Sequence, residues 1–427
     1  MSNFTSNFHP GSSKRLYNLV RIWFPFLFIS SVVIFPSVKG TTPAYILSFI
    51  SFPFALSSFY RLQYFLTFTK IFLLFFSYYL VGQIGVILFD VAPPRNLALI
   101  NSNASNLFLE TSHLTQSIYL LPGFFLFLFI RYYWEDRYFK YVNVGIALLC
   151  FYGMYEWVFY FLFHKNGDFL SNRLFGSDED SIGSFFQTLS FSGVSVLRMK
   201  SLTGEPSMFA FTLLPFWAFY TKTKQSFMMY LTLACLVLST STSSILGFLI
   251  FFISNFSFQF KRTISIRKIA IYMFFLVAII YVGYKAWEVL GTLYWFVFDK
   301  ITLKHVSGVV RFSSVVNAIN YWYELPFFSK CFGIGFGTIR TTDMTSTLLV
   351  NTGFLGLIMF VLLFSVPIIR MKGKSLEELG LKRALLIILI VSMISVPEFS
   401  YLSLWFFLGL AYPFNSETTD SSKIIKT

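Results

Sequence analysis

The sequence has 427 residues, of which 56% are hydrophobic, 21% are aromatic and only 12% are charged, with a formal net charge of +14. Soluble domains carry about 25% charged residues, and an ordinary soluble core would not absorb 58 phenylalanines. The composition therefore excludes a soluble globular protein and predicts a membrane protein. The positive charge does not predict a nucleic-acid partner, because lysine and arginine accumulate in the cytoplasmic loops of membrane proteins.

Apolar segments follow one another along the whole chain. A bilayer needs about 20 apolar residues per helix, so this length accommodates about twelve spans with short connections. We therefore predict one all-α, polytopic transmembrane domain covering residues 1–427. The predicted spans are 17–36, 43–59, 64–88, 116–133, 142–162, 207–221, 226–239, 243–259, 269–287, 346–369, 383–396 and 399–413.

The charges between these segments predict their orientation. Every second connection is basic, starting with Lys14 and Arg15 before the first span. Basic connections lie on the cytoplasmic side, so both termini are predicted to be cytoplasmic. The outer connections 89–115, 163–206 and 288–345 are long, and long ordered loops are usually functional.

The first candidate site lies just before the sixth span, where Arg198, Lys200 and Glu205 are close in sequence and Pro206 and Ser207 follow. Two cations and a carboxylate at the outer surface predict an anion site in which Glu205 can accept a proton. The alternative is an ordinary helix start. Proline suits the first helical turn, and the carboxylate and hydroxyl would satisfy free backbone N–H groups.

The second candidate site is the last outer loop, which is net basic. The spacing of apolar residues from Val309 to Tyr323 predicts a helix along the membrane interface, with Arg311 near its start. Arginine suits a diphosphate because its planar fork donates two hydrogen bonds at once. Attraction to anionic lipid headgroups is the alternative. The loop's other charged or titratable residues include Asp299, Lys300, Lys304, His305, Glu324, Lys330, Arg340 and Asp343.

Motifs for nucleotide or metal chemistry are missing from the sequence. It has no GxxxxGK followed by Ser or Thr, no HExxH and only four histidines. The glycine-rich run 331–337 predicts a tight turn, not a nucleotide site. We therefore predict no metal and no cofactor. Glu156 is the main carboxylate inside a predicted span, whereas an ion-coupled transporter would usually show more intramembrane charge.

The order of these features resembles the Wzy-type O-antigen polymerases, within the wider polymerase and ligase superfamily of bacterial polysaccharide assembly. Residues 198–215 are similar to that family's arginine and G-x-x-E-P motif, with a shorter glycine-to-glutamate spacing here. Residues 236–247 resemble its serine-rich turn between two helices. The last outer loop, from Arg311 to the glycines of 331–337, and the segment 351–356 resemble the family's later motifs.

The resemblance implies a metal-independent glycosyltransferase with a GT-C-like fold in the bacterial inner membrane. Such an enzyme transfers a glycan from undecaprenyl diphosphate onto the next lipid-linked repeat unit at the outer face. It implies that Arg198 and Arg311 hold the departing diphosphate and that Glu205 activates the acceptor hydroxyl. Lys200, Arg340 and His305 are expected to assist diphosphate binding. The expected partners are the lipid-linked oligosaccharide, membrane lipid and a chain-length regulator, with no nucleic acid.

Three alternatives remain open. An O-antigen ligase or capsule polymerase would share the fold; ligases of the superfamily usually show a histidine just before the helix that follows the large outer loop, and 340–345 has none. A transporter or flippase would be expected to show an internal repeat and charge at the membrane midplane. A purely structural membrane protein would leave the outer cations without a role.

Overall fold

The computed structural model describes residues 14–36, 40–104, 106–173, 187–191, 194–259 and 306–413. The predicted span 269–287 lies outside these ranges. So do the predicted diphosphate-binding residue His305 and its basic neighbours Lys300 and Lys304.

Helices make up most of the described chain. Each predicted span within the described ranges, except the first, corresponds to one helix, although one of these helices is interrupted and the helix predicted at 383–396 begins seven residues earlier, at Leu376. The helix predicted along the interface is also present, as α9. In chain order the helices are α1 (Lys14–Trp23), α2 (Pro43–Leu56), α3 (Arg61–Leu88), α4 (Thr111–Tyr133), α5 (Phe139–Phe163), α6 (Pro206–Tyr220), α7 (Ser226–Leu238), α8 (Thr242–Gln259), α9 (Val306–Glu324), α10 (Phe327–Phe332), α11 (Met344–Arg370), α12 (Leu376–Ser395) and α13 (Leu402–Ala411).

The first predicted span, 17–36, differs from the structure. Helix α1 ends at Trp23, a 3-10 turn covers Phe24–Phe26, and residues 27–36 are not helical. Pro25 accounts for the early end, because proline has no N–H to donate and disfavours helical geometry in the residue before it. The apolar residues continue through this segment, so the hydropathy pattern did not predict the break.

Four helical segments in the described residues are long and apolar enough to cross a membrane: α3, α4, Asp136–Phe163 (which includes α5) and α11. The sides of α3 are covered with exposed apolar groups, such as Phe72 and Leu74, which is 59% exposed. A contiguous surface of this kind is compatible with lipid and not with water. The chain thus has the helices of a membrane protein.

A short antiparallel hairpin departs from the predicted all-α fold. Strand β1 (Thr188–Phe191) pairs with β2 (Val194–Leu197) within the predicted second outer loop. The sequence there alternates apolar and polar residues, which is typical of a strand. The hairpin ends directly before Arg198 and so helps to place that residue.

Helix α6 forms the centre of the molecule. Every residue of α6 except Ser207 is buried, and the helix packs against α7, α8 and α12. A helix that is apolar on all sides must be enclosed by other helices. Its start is consequently a fixed point, and Glu205 is the residue immediately before it.

Helix α11 is interrupted at Gly353, whose φ of +67° is outside the helical range. The glycine-rich turn packs against this interruption with almost no space to spare. A Cβ atom on Gly333 would lie 2.4 Å from the carbonyl oxygen of Asn351, and one on Gly353 would lie 2.4 Å from the backbone of Cys331. The predicted tight turn is therefore present, and glycine is required on both sides of the contact.

Buried polar side chains from α3 and α4 hold the glycine-rich turn. The Gln83 side-chain amide donates to the Ile334 carbonyl oxygen at 2.9 Å, and Nε2 of His113 lies 2.9 Å from the Thr338 hydroxyl. These bonds attach the segment that leads to Arg340 to two long helices.

The three predicted outer loops meet at one end of the helix bundle. The first and third are joined by a backbone bond from Ile100 to Thr338, and the second reaches the segment after α1 through a bond from Asn172 to Ser31. This arrangement brings basic residues that are far apart in sequence to the same place.

Candidate functional site

Residues 198–205 form a tightly anchored loop above the start of α6. The carbonyl oxygen of Leu202 accepts hydrogen bonds from the N–H groups of Ser30 and Ser31, both at 3.0 Å. Ser201 adopts a φ of +51°, a conformation that is uncommon for residues other than glycine. The loop is thus fixed from several sides.

Lys200 anchors this loop through buried ion pairs. Its ammonium group lies 3.1 Å from Oε1 of Glu156 and 2.5 Å from Oδ2 of Asp168, and all three side chains are 1% exposed. The second oxygen of Glu156 accepts the N–H of Ser201 at 2.9 Å. Burial by itself would raise the pKa of Asp168, but Lys200 outweighs it and leaves that pKa below its ordinary value. Lys200 was expected to help bind the diphosphate; here two buried carboxylates occupy its ammonium group.

Glu205 is the residue directly before α6, as the helix-start alternative predicted. Its backbone carbonyl accepts the first bond of the helix, from Phe209, whereas its carboxylate makes no capping bond. The carboxylate instead accepts a hydrogen bond from the Ser207 hydroxyl at 3.1 Å and is partly exposed. It is therefore available for chemistry.

Arg198 lies within electrostatic range of both Glu205 and Arg311. Burial lowers the pKa of Arg198, the charge of Arg311 lowers it further, and Glu205 acts in the opposite direction. One guanidinium nitrogen, Nη1, donates to the Gln187 side chain at 2.5 Å. The buried Nε atom has no acceptor among the described residues. The guanidinium thus retains unused donor capacity.

Arg311 is held by α9 and is exposed. The Thr342 hydroxyl donates to its backbone carbonyl oxygen at 3.3 Å, which joins α9 to the segment before α11. Like charges such as Arg198 and Arg311 repel each other, so their proximity favours an anion between them.

Arg340 also lies in this group. Its Nη2 atom donates to Oε2 of Glu398 at 2.8 Å, and the arginine side chain remains 52% exposed. Burial would raise the pKa of Glu398, but Arg340 and the Ser400 hydroxyl lower it below its ordinary value. Glu205 also acts electrostatically on Arg340. We call this group, Arg198, Arg311 and Arg340 with Glu205 and Glu398, the arginine cluster.

Two members of this region were missed by the sequence reasoning. Glu398 lies in the short connection between α12 and α13, which drew no attention because it is short. Tyr401 follows it; its hydroxyl is buried, lies within electrostatic range of Glu205, Glu398 and Arg340, and has no partner among the described residues. The sequence did contain a signal for Glu398: it is a carboxylate beside a proline, in a connection that is predicted to lie on the outer side.

The sequence-predicted residues thus divide into three groups. Arg198, Glu205, Arg311 and Arg340 come together, Lys200 is withdrawn into a buried ion cluster, and His305 lies outside the described residues. A scan against protein-family models gives no match to this chain, and a search of curated proteins gives none either.

Proposed function

We propose that this protein is a membrane-embedded polysaccharide polymerase of the GT-C-like type, with about twelve spans, acting at the outer face of a bacterial inner membrane. It transfers a glycan from undecaprenyl diphosphate onto the next lipid-linked repeat unit. The observation that carries the proposal is that Arg198, in the loop before α6, lies within electrostatic range of both Arg311 in α9 and the partly exposed carboxylate of Glu205.

The chemistry of the cluster suits the departure of a diphosphate. An acceptor hydroxyl oxygen attacks the anomeric carbon of the donor sugar, the bond from that carbon to the diphosphate oxygen breaks, and the diphosphate leaves as an anion. Arg198 and Arg311 neutralise its developing charge through fixed N–H donors, the arrangement that contributes most to many enzymatic rates. Glu205 takes the proton from the acceptor hydroxyl.

Arg340 and Tyr401 have supporting roles in this proposal. Arg340 is half-exposed and keeps N–H donors beyond the one that it gives to Glu398, so it can contact the second phosphate. The Tyr401 hydroxyl, which has no partner among the described residues, is a donor for a sugar hydroxyl near Glu205. Lys200 holds the loop through its ion pairs with Glu156 and Asp168 and does not bind the diphosphate in this proposal.

A complementation experiment tests the proposal. The gene is deleted and restored as wild type, Arg198→Ala, Arg311→Ala or Glu205→Gln, membrane expression is confirmed, and the surface polysaccharide is separated on a gel. We expect the deletion and all three variants to leave single repeat units, with polymerisation reduced by at least about 100-fold, the loss typical of removing one charge-stabilising donor.

Lys372→Ala is the matched control. This lysine is exposed in the connection between α11 and α12, far along the chain from the cluster, and its loss removes the same charge. Unchanged polymer after deletion would refute a polymerase and favour transport. Long lipid-linked chains without attached glycan would identify a ligase instead.

A further inference from the structure

Arg383 is a buried cation near the C-terminal end of α6, whereas the arginine cluster lies near its start. It lies on the buried face of α12, one turn after Gly380, and is 1% exposed. Its Nε and Nη1 atoms have no acceptor among the described residues. The guanidinium lies over the ring of Phe251 in α8, with Cζ 5.4 Å from the ring centroid. A cation–π contact offsets only part of the cost of withdrawing a guanidinium from water.

Lys222 adds a second positive charge at this place. It lies in the connection between α6 and α7, and a Cβ atom on Gly380 would lie 3.4 Å from its side chain. Burial lowers the pKa of Lys222, and the charge of Arg383 lowers it further. The ion pairs found in the described part of the chain include neither residue.

Asp136 and Glu377 line a groove beside this place, together with Phe219, Thr223 and Leu381. Among the described residues, no carboxylate contributes to the electrostatics of Lys222 or Arg383. Two cations without a carboxylate, one of them enclosed by protein, require a compensating anion.

We propose that Arg383 and Lys222 bind a phosphate group between α6, α8 and α12. The planar guanidinium can donate two hydrogen bonds to phosphate oxygens, and the ammonium group supplies a point charge. The position at the end of apolar helices fits a phospholipid headgroup; inorganic phosphate has the same chemistry. The site is separate from the arginine cluster, because the 15 residues of α6 place about 22 Å between them.

The test measures thermal unfolding of the full-length protein after delipidation and reconstitution. Three conditions are compared: phosphatidylcholine vesicles, the same vesicles with phosphatidylglycerol, and phosphatidylcholine vesicles with millimolar inorganic phosphate. For wild type and the control Lys372→Gln, we expect phosphatidylglycerol to raise Tm by about 4 °C, since a ligand that binds only the folded state stabilises it. For Arg383→Gln this rise should be lost.

Each outcome of this experiment either supports or overturns the proposed phosphate site. A rise with phosphatidylglycerol that depends on Arg383 supports a lipid headgroup, and an equal rise with inorganic phosphate supports free phosphate. No rise with either, as expected if a carboxylate of residues 260–305 or 414–427 pairs with Arg383, overturns the proposal. The same is true of an equal rise in wild type and Arg383→Gln. If Arg383→Gln does not accumulate, Lys222→Gln serves as the second variant, and an undiminished rise in it overturns the site.

Discussion

The role of each charged residue in this protein depends on the groups that surround it. Arg198 and Lys200 are two positions apart, yet Arg198 keeps a buried Nε without an acceptor among the described residues while Lys200 is enclosed by two carboxylates. A bound diphosphate would relieve the repulsion between Arg198 and Arg311. The charge of Lys200 is not available to a ligand, because Glu156 and Asp168 already neutralise it.

Replacing Lys200 by methionine tests its anchoring role. The change leaves Glu156 and Asp168 buried without their cation, and removal of one partner from a buried ion pair costs about 3–5 kcal/mol. We expect a large fall in Tm in detergent, with Lys165→Met, which removes an exposed lysine, close to wild type. A Tm equal to that of wild type would show that the ion cluster does not hold the loop.

The pH dependence of the same cluster has a defined sign. The folded-state pKa of Asp168 is below its ordinary value, so its contribution to stability is complete above about pH 4. It is lost as the pH falls through the folded-state pKa. In Lys200→Met both carboxylates are buried without a cation, which favours their protonated forms, so the difference in Tm between wild type and the variant should be largest near neutral pH and decrease as the pH falls.

At the scale of elements, the interruption of α11 determines the shape of the candidate site. The turn 333–337 fits against the break at Gly353, and the chain then proceeds to Arg340. The carbonyl oxygens of Val350 and Asn351 accept the N–H groups of Ile334 and Gly335, whereas in an unbroken α11 they would accept bonds within the helix. The break thus helps to place a basic residue, through backbone bonds and through the Asn351 side chain, which bonds both the N–H and the carbonyl oxygen of Ile339.

Gly353→Ala and Gly373→Ala form a matched pair for this element. Both glycines have positive φ, +67° and +68°, so alanine costs about 1–2 kcal/mol at either position. Only Gly353 has a close neighbour, at 2.4 Å, whereas the nearest atom to Gly373 is 3.6 Å away. Overpacking adds about 1–3 kcal/mol at Gly353. We expect Gly353→Ala to unfold at the lower temperature and to lose polymer; equal Tm values would argue against the tight contact.

At the scale of the whole molecule, the helices form a scaffold that gathers several connections at one end. The enclosed α6 separates this end from the one that carries Arg383 and Lys222. In the proposed topology the first end is periplasmic and the second is cytoplasmic. The two proposed anion sites would then lie on opposite sides of the membrane.

Cysteine labelling of intact cells tests that topology. Cys150 and Cys235 are buried, and Cys331 is replaced by serine to give the background. Asn103→Cys and Lys224→Cys introduce single exposed thiols at the two ends. A membrane-impermeant maleimide should label position 103 directly and position 224 only after permeabilisation. The reverse pattern would place the arginine cluster in the cytoplasm and exclude the proposed reaction at the outer face.

The amino-acid sequence by itself determined the helical segments and part of the site. Hydropathy is a local property of 15 to 25 residues, so the positions of α2 to α8 and α11 to α13 followed from the chain directly. The arginines and Glu205 were identifiable because charges are rare in this sequence and stood out between apolar segments. Pro25 shows the limit, since an apolar run did not reveal where α1 ends.

Only the tertiary structure decided which charges pair and which remain available. The partners of Lys200 lie 32 and 44 residues away, the partner of Arg340 lies 58 residues away, and the like charge that acts on Arg198 comes from α9. Such pairings depend on how helices pack, and no local pattern encodes a contact between distant segments. For the same reason the roles of Glu398, Gly353 and Arg383 became visible only when the fold showed what surrounds each of them.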